Sequence, residues 1–132
     1  MKRPYDQRFS PPAPALTIDI FVPDNANQRD TILAKLDTAA DISAIPLDLL
    51  KAWRLEPESE IVISGIDAAP TTVRTYTVGI ELPDARIRRS EVIPIAEDYA
   101  LIGRDILNHF YIYLNGPDLT FEIQAPRTVG SP

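Results

Sequence analysis

Apolar and polar positions alternate with the two-residue period of strands through most of the chain. In residues 16–22 (LTIDIFV), Leu16, Ile18, Ile20 and Val22 alternate with Thr17, Asp19 and Phe21, which predicts a strand buried on one face. Pro23-Asp24-Asn25 ends it. A second strand is predicted over 31–36, and the small, acidic run after it reads as a tight loop. Residues 46–53 put a proline at a first helical turn and helix formers behind it, predicting a short helix. Segments 60–66, 73–82 and 87–95 are rich in Val, Ile, Thr and Tyr and are separated by turn residues, which predicts a β-meander. Within 103–110, Ile106, Leu107 and Phe110 fall at helical spacing, and Asn115-Gly116 then sits between two alternating runs as a hairpin signal.

Composition sharpens this all-β reading. Thirteen prolines and five glycines among 132 residues are more than a helical bundle tolerates, because proline removes a helix donor and clashes with the preceding turn. The length suits one domain, over 15–124, with a flexible, proline-rich tail at 1–14 (Pro4, Pro11, Pro12, Pro14) and a C-terminal tail at 125–132. The net charge of -6 argues against a nucleic-acid partner, since phosphate binding needs a basic face. With no cysteine and one histidine, a thiolate nucleophile and a Cys- or multi-His metal site are excluded within one chain, and no cofactor is expected. No stretch approaches the ~20 apolar residues of a membrane span, and no signal-peptide pattern opens the chain. The expected partners therefore exclude membrane, and the expected location is cytoplasmic.

Candidate chemistry centres on Leu36-Asp37-Thr38-Ala39-Ala40-Asp41. An aspartate in a tight loop is commonly a turn former. A second motif follows some sixty residues later, however: Leu101-Ile102-Gly103-Arg104-Asp105-Ile106-Leu107, two apolar residues and a glycine opening a helix.

Together the two motifs resemble those of the retropepsin family, the retroviral proteases and their bacterial and eukaryotic relatives. The resemblance runs over about residues 16–123. It implies a closed β-barrel, half of an acid protease, with one or two short helices and a two-fold homodimer. It also implies that Asp37 is catalytic, with Thr38, Ala39 and Ala40 forming the active-site loop and supporting the dimer. Asp41 and Arg104 correspond to a supporting ion pair, and Leu101, Ile102 and Gly103 to the hydrophobic-glycine motif. Ser64, Gly65, Ile66, Asp67, Ala68 and Ala69 fall where the family has a flap over the substrate. No metal is implied.

A lone carboxylate cannot both hold a proton and accept one, so peptide hydrolysis would need a second Asp37 from a symmetry mate. The family has glycine where this chain has Ala39, and two readings follow. One is a homodimeric aspartic endopeptidase acting on a protein or peptide. The other is a catalytically weak or inactive module for dimerisation or peptide binding. Lys35 also stands where the family usually has an apolar residue. His109 and Trp53 are assigned no chemistry, and Arg86, Arg88 and Arg89 read as a solvated strand end.

Overall fold

The computed structural model describes residues 1–64 and 69–126. Its centre is set by strand β2 (Ala15–Val22), which turns Leu16, Ile18 and Ile20 inward. An antiparallel partner, β3 (Asn25–Leu36), covers its backbone. The strand β3 begins at residue 25, earlier than the apolar run predicts, because pairing with β2 satisfies its polar first half, Val22 opposite Asn25 and Phe21 opposite Arg29. One assignment is overturned: Phe21 is buried, lying against Gly79 with Arg29 and Arg86 over its ring, while Val22, past a register shift, is only half-buried. Phe21 occupies the space a side chain at Gly79 would need, since a Cβ there would lie 2.1 Å from the ring.

Next come the short strand β4 (Ala44–Pro46) and helix α1 (Leu47–Ala52), which opens directly after Pro46 and buries Leu50. The meander follows as β5 (Ser59–Ile63), β6 (Thr71–Leu82) and β7 (Ala85–Ile95), each antiparallel to the next. Strand β8 (Ala100–Ile102) and helix α2 (Arg104–Leu107) complete the core region. Helix α2 is shorter than the 103–110 span predicted, so Phe110 packs on the core from the turn after it.

Hydrogen bonding runs β2-β3-β8-β4-β7-β6, and β2 pairs again with β6, which closes a six-stranded mixed barrel. The strand β5 extends the sheet from β6. Strand β8 lies parallel to β3 and antiparallel to β4, so the ends of β3 and β8 emerge side by side, Leu36 opposite Ile102. Ile18, Ile20, Ile45, Val78, Ile80, Val92 and Ile102 fill the interior. Burying each aliphatic side chain of this size contributes about 2 kcal/mol.

Outside the barrel, β9 (Tyr111–Asn115) and β10 (Thr120–Gln124) form the expected hairpin. The N-terminal segment departs from the expectation of a flexible tail. Strand β1 (Arg3–Pro4) pairs with β10, Asp6 bridges Ala13, and Ala13 is buried. Its prolines enforce an extended path, but that path lies on the protein rather than in solvent. No helix among the described residues is long and apolar enough to cross a membrane.

Candidate active site

The site forms where β3 and β8 end together. The Asp37 N–H donates to the Ile102 carbonyl at 2.9 Å, prolonging the parallel pairing by one bond beyond Leu36. The chain then turns: the Ala40 N–H donates to the Asp37 carbonyl at 3.2 Å, and the Ala39 N–H donates to the Asp37 side-chain Oδ1 at 3.0 Å. An aspartate suits this position because its short carboxylate can satisfy the backbone two residues on. The Asp37 carboxylate is half-buried at the mouth of the turn.

The segment after β8 clasps the turn from behind. The Arg104 N–H donates to the Ala40 carbonyl at 2.8 Å. Its guanidinium forks, one nitrogen donating to the Thr38 carbonyl at 2.6 Å and the other contacting the Asp41 carboxylate. The fork therefore spans a carbonyl and one carboxylate oxygen. Both side chains are largely exposed, so the ion pair itself contributes little, and the bond to Thr38 contributes geometry.

Gly103 is required by close approach. A Cβ there would stand 2.9 Å from the Ala40 carbonyl oxygen and 3.0 Å from the Ile42 carbonyl carbon, both backbone atoms that cannot yield cheaply. Ala39 has the opposite character. Positive φ among the described non-glycine residues occurs at Asp24, Arg54 and Leu119, so Ala39 sits in backbone that alanine adopts without strain, and its methyl is exposed.

Two contributors were given no role in the motif reading, although Asp105 stands inside its second motif. Ser43 is wholly buried; its hydroxyl donates to Asp105 Oδ1 at 2.8 Å and accepts the Gly103 N–H at 2.9 Å. The Asp105 carboxylate also accepts the Ser43 N–H at 3.0 Å and the Ile106 N–H at 3.0 Å. Ser43 and Asp105 thus lock the chain after the turn onto the glycine that abuts it. The only sequence signal for Ser43 was a single small polar residue inside Asp41-Ile42-Ser43-Ala44-Ile45.

Lys35 is half-buried with its Nζ 4.8 Å from the centre of the Phe9 ring, and Phe9 meets Tyr99 edge-on at 4.9 Å. Phe9, from the N-terminal segment, thus lies over the strand that leads to Asp37 and beside the residue that precedes β8. A cation on an aromatic face explains how a lysine is tolerated at a position the resemblance makes apolar.

Among the flap residues, Ser64 and Ala69 are exposed, with the Thr71 hydroxyl donating to the Ala69 carbonyl at 3.2 Å; Gly65, Ile66, Asp67 and Ala68 lie outside the described residues. The β5-β6 hairpin is pinned at its root by a polar cluster. Buried Thr75 and exposed Ser59 share a 2.8 Å hydroxyl contact, and both donate to the Glu91 carboxylate, Ser59 at 2.6 Å. Those bonds, from Ser59 first and then Thr75, hold the Glu91 carboxyl below its ordinary value of 4.5.

Of the residues set aside, Trp53 caps α1 and packs on the core, and His109 lies in the turn after α2. Arg86 and Arg89 are not simply solvated. Arg86 stacks 4.6 Å from the Phe21 ring centre and pairs with Glu81, and Arg89 pairs with Asp24.

No protein-family model matches the chain. No curated protein matches it either. Its fold, however, matches solved structures. A retropepsin-like aspartic protease from Rickettsia conorii aligns over 96% of this chain and 92% of its own, at 14% identity and a TM-score of 0.58. The EIAV protease in complex with the inhibitor HBY-793 aligns over 73% and 86%, at 18% identity and 0.56. The simian foamy virus (mac) protease aligns over 72% and 92%, at 18% identity and 0.53. The barrel that brings Leu36-Asp37-Thr38 against Ile102-Gly103-Arg104 is therefore the fold of the retropepsin-like aspartic proteases.

Proposed function

We propose that the chain is one half of a homodimeric aspartic endopeptidase, with Asp37 as its catalytic group. The observation that carries this reading is the Asp37 turn: a half-buried carboxylate at the meeting point of two strand ends, held by backbone bonds on both sides and backed by a glycine that only glycine can be. The fold shared with solved proteases supports it.

In the dimer, two Asp37 carboxylates face each other across a two-fold axis. At about 3 Å they cannot both ionise readily, so they share one proton and titrate as a pair. The ionised member takes a proton from the water between them, and that water attacks the scissile carbonyl. The protonated member donates to the carbonyl oxygen, and a proton is then delivered to the departing amine. Thr38, whose exposed hydroxyl has no hydrogen-bond partner among the described residues, holds the loops together across the axis. An extended peptide is held beneath the hairpin that includes Ser64 and Ala69, pairing through its backbone.

The inactive-module reading rests on Ala39. Its unstrained, exposed setting favours the enzyme. The test is cleavage of unfolded protein or a peptide library across about pH 3 to 7, the acid range of a carboxylate pair, by the native chain and by Asp37→Asn at equal concentration. The native chain is expected to cleave and the variant to be inert. Equal cleavage by both, or none by either, would remove the enzymatic reading.

A further inference from the structure

In β3, Ala34 and Leu36 are buried in the barrel, so Lys35 between them stands on the opposite face. The Asp37 N–H continues the pairing with β8, so Asp37 follows the same alternation and its side chain leaves the sheet on the face of Lys35. Two residues along a strand span about 6.6 Å, so the roots of these two side chains are neighbours. Strand β8 repeats the arrangement: Ala100 and Ile102 are buried, and Leu101, the register partner of Lys35, turns to the Asp37 face.

The surroundings of Lys35 are apolar. Ala15 is its partner on β2 and Leu101 its partner on β8. Phe9 lies over the ammonium, with 4.8 Å from Nζ to the ring centre, and meets Tyr99 edge-on at 4.9 Å. Lys35, Phe9, Tyr99 and Leu101 are all half-buried. Ion pairs among the described residues engage the N-terminus, Arg29, Arg86, Arg89 and Arg104, and none of them engages Lys35. A ring attracts a cation from one side and leaves the other N–H donors of an ammonium available to an anion.

We propose that Lys35 is a specificity-determining residue that reads an acidic side chain, glutamate, on the residue flanking the scissile bond. This rests on the peptidase reading above and names its substrate class. The ammonium donates to the substrate carboxylate, while the methylenes of that side chain lie against Leu101, Phe9 and Tyr99. In such a partly apolar setting a charge-assisted hydrogen bond is stronger than in water. Two-fold symmetry sets one Lys35 on each side of the paired Asp37 residues, so the preference extends to both residues joined by the scissile bond.

The test compares otherwise uncharged peptides that carry Glu, Gln or Lys beside the scissile bond. It is run at about pH 6, where glutamate is ionised, and about 0.15 M salt, which screens the repulsion from a chain of net charge -6. The kcat/KM of the native chain is expected to favour Glu over Gln about 10-fold, the worth of one hydrogen bond to a charged group. Lys35→Met should bring that ratio to about 1, and Lys35→Glu should favour Lys over Glu. Lys51→Met, on α1, should keep the native ratio. Circular dichroism establishes that each variant is folded. Binding of the same peptides to Asp37→Asn, with and without Lys35→Met, is measured alongside.

An active native chain that does not distinguish Glu from Gln, a Glu preference that survives in Lys35→Met, or an equal loss in Lys51→Met would overturn the role of Lys35 and leave the peptidase standing. A native chain that cleaves none of the peptides would remove the peptidase, and binding then decides the subsite. Tighter binding of the Glu peptide than of the Gln peptide, lost with Lys35→Met, would uphold it, and equal binding would overturn it.

Discussion

Two polar clusters brace the Asp37 turn and the root of the β5-β6 hairpin, and they are built differently. Behind the Asp37 turn, Ser43, Asp105 and the Gly103 N–H form a clasp around a wholly buried hydroxyl, with several backbone groups sharing the bonds. At the root of the β5-β6 hairpin, Ser59 and Thr75 converge on one exposed carboxylate, Glu91. The first spreads its bonds over the backbone and admits no side chain at Gly103. The second gathers its hydroxyls on the Glu91 carboxylate, whose pKa the fold lowers. The Asp37 turn is thus backed by close packing as well as hydrogen bonds, whereas the root of the β5-β6 hairpin is held by hydrogen bonds that weaken as Glu91 takes up a proton.

The contrast breaks most severely at Gly103. Placing Gly103→Ala against the Ala40 and Ile42 backbone is expected to destabilise the fold by about 3 kcal/mol, the upper end for overpacking, as measured by urea unfolding. A loss near zero would mean that the turn can shift and that close packing does not hold it.

Removing the buried hydroxyl should cost somewhat less. In Ser43→Ala the Gly103 N–H loses its acceptor and Asp105 loses a donor, so a loss of about 2 kcal/mol is expected in the same measurement. Ser43→Thr would restore the hydroxyl but add a methyl to a fully buried site, so a similar loss from both would point to space rather than hydrogen bonding.

The smallest effect belongs to the hairpin root and depends on pH. Because the fold lowers the Glu91 pKa, its contribution to stability is fully present above its ordinary value of 4.5 and is lost as pH falls through the lower folded value. Asp19, held down chiefly by the Thr31 hydroxyl, behaves in the same way below its ordinary 3.8. Glu91→Gln is expected to flatten the fall of the urea midpoint below about pH 4.5. If Glu91→Gln leaves the acid slope unchanged, the two clusters do not differ in the way described.

The parts of the fold readable from sequence were those where one chemical pattern dominates a long enough run. Leu16, Ile18 and Ile20 announce β2 because a half-buried strand needs alternation over several residues, and the meander follows from the same rule. The elements that build the site are too short for any period to show. Strands β4 and β8 have three residues each and are defined by their partners β7, β3 and one another. Phe21 keeps to the face of Thr17 and Asp19 yet is buried there, against Gly79 and beneath Arg29 and Arg86, partners that alternation does not reveal. The Asp37 turn and the strand end at Ile102 were legible as motifs. Ser43 was not, since one serine in an apolar stretch carries no mark of its burial or of the two partners it serves. Lys35 looked like a departure until Phe9, twenty-six positions away in a segment read as a loose tail, proved to cover it.

The pairing of β1 with β10 sets Arg3 opposite Phe121. A ribosome adding about 5 to 20 residues per second makes these two strands many seconds apart. The barrel strands, from β2 through β8, all emerge in that interval, so they can assemble before the first strand of the chain has anything to pair with. The β1-β10 ladder is therefore expected to close last during synthesis, and in the folded protein a cut near either end would release the other.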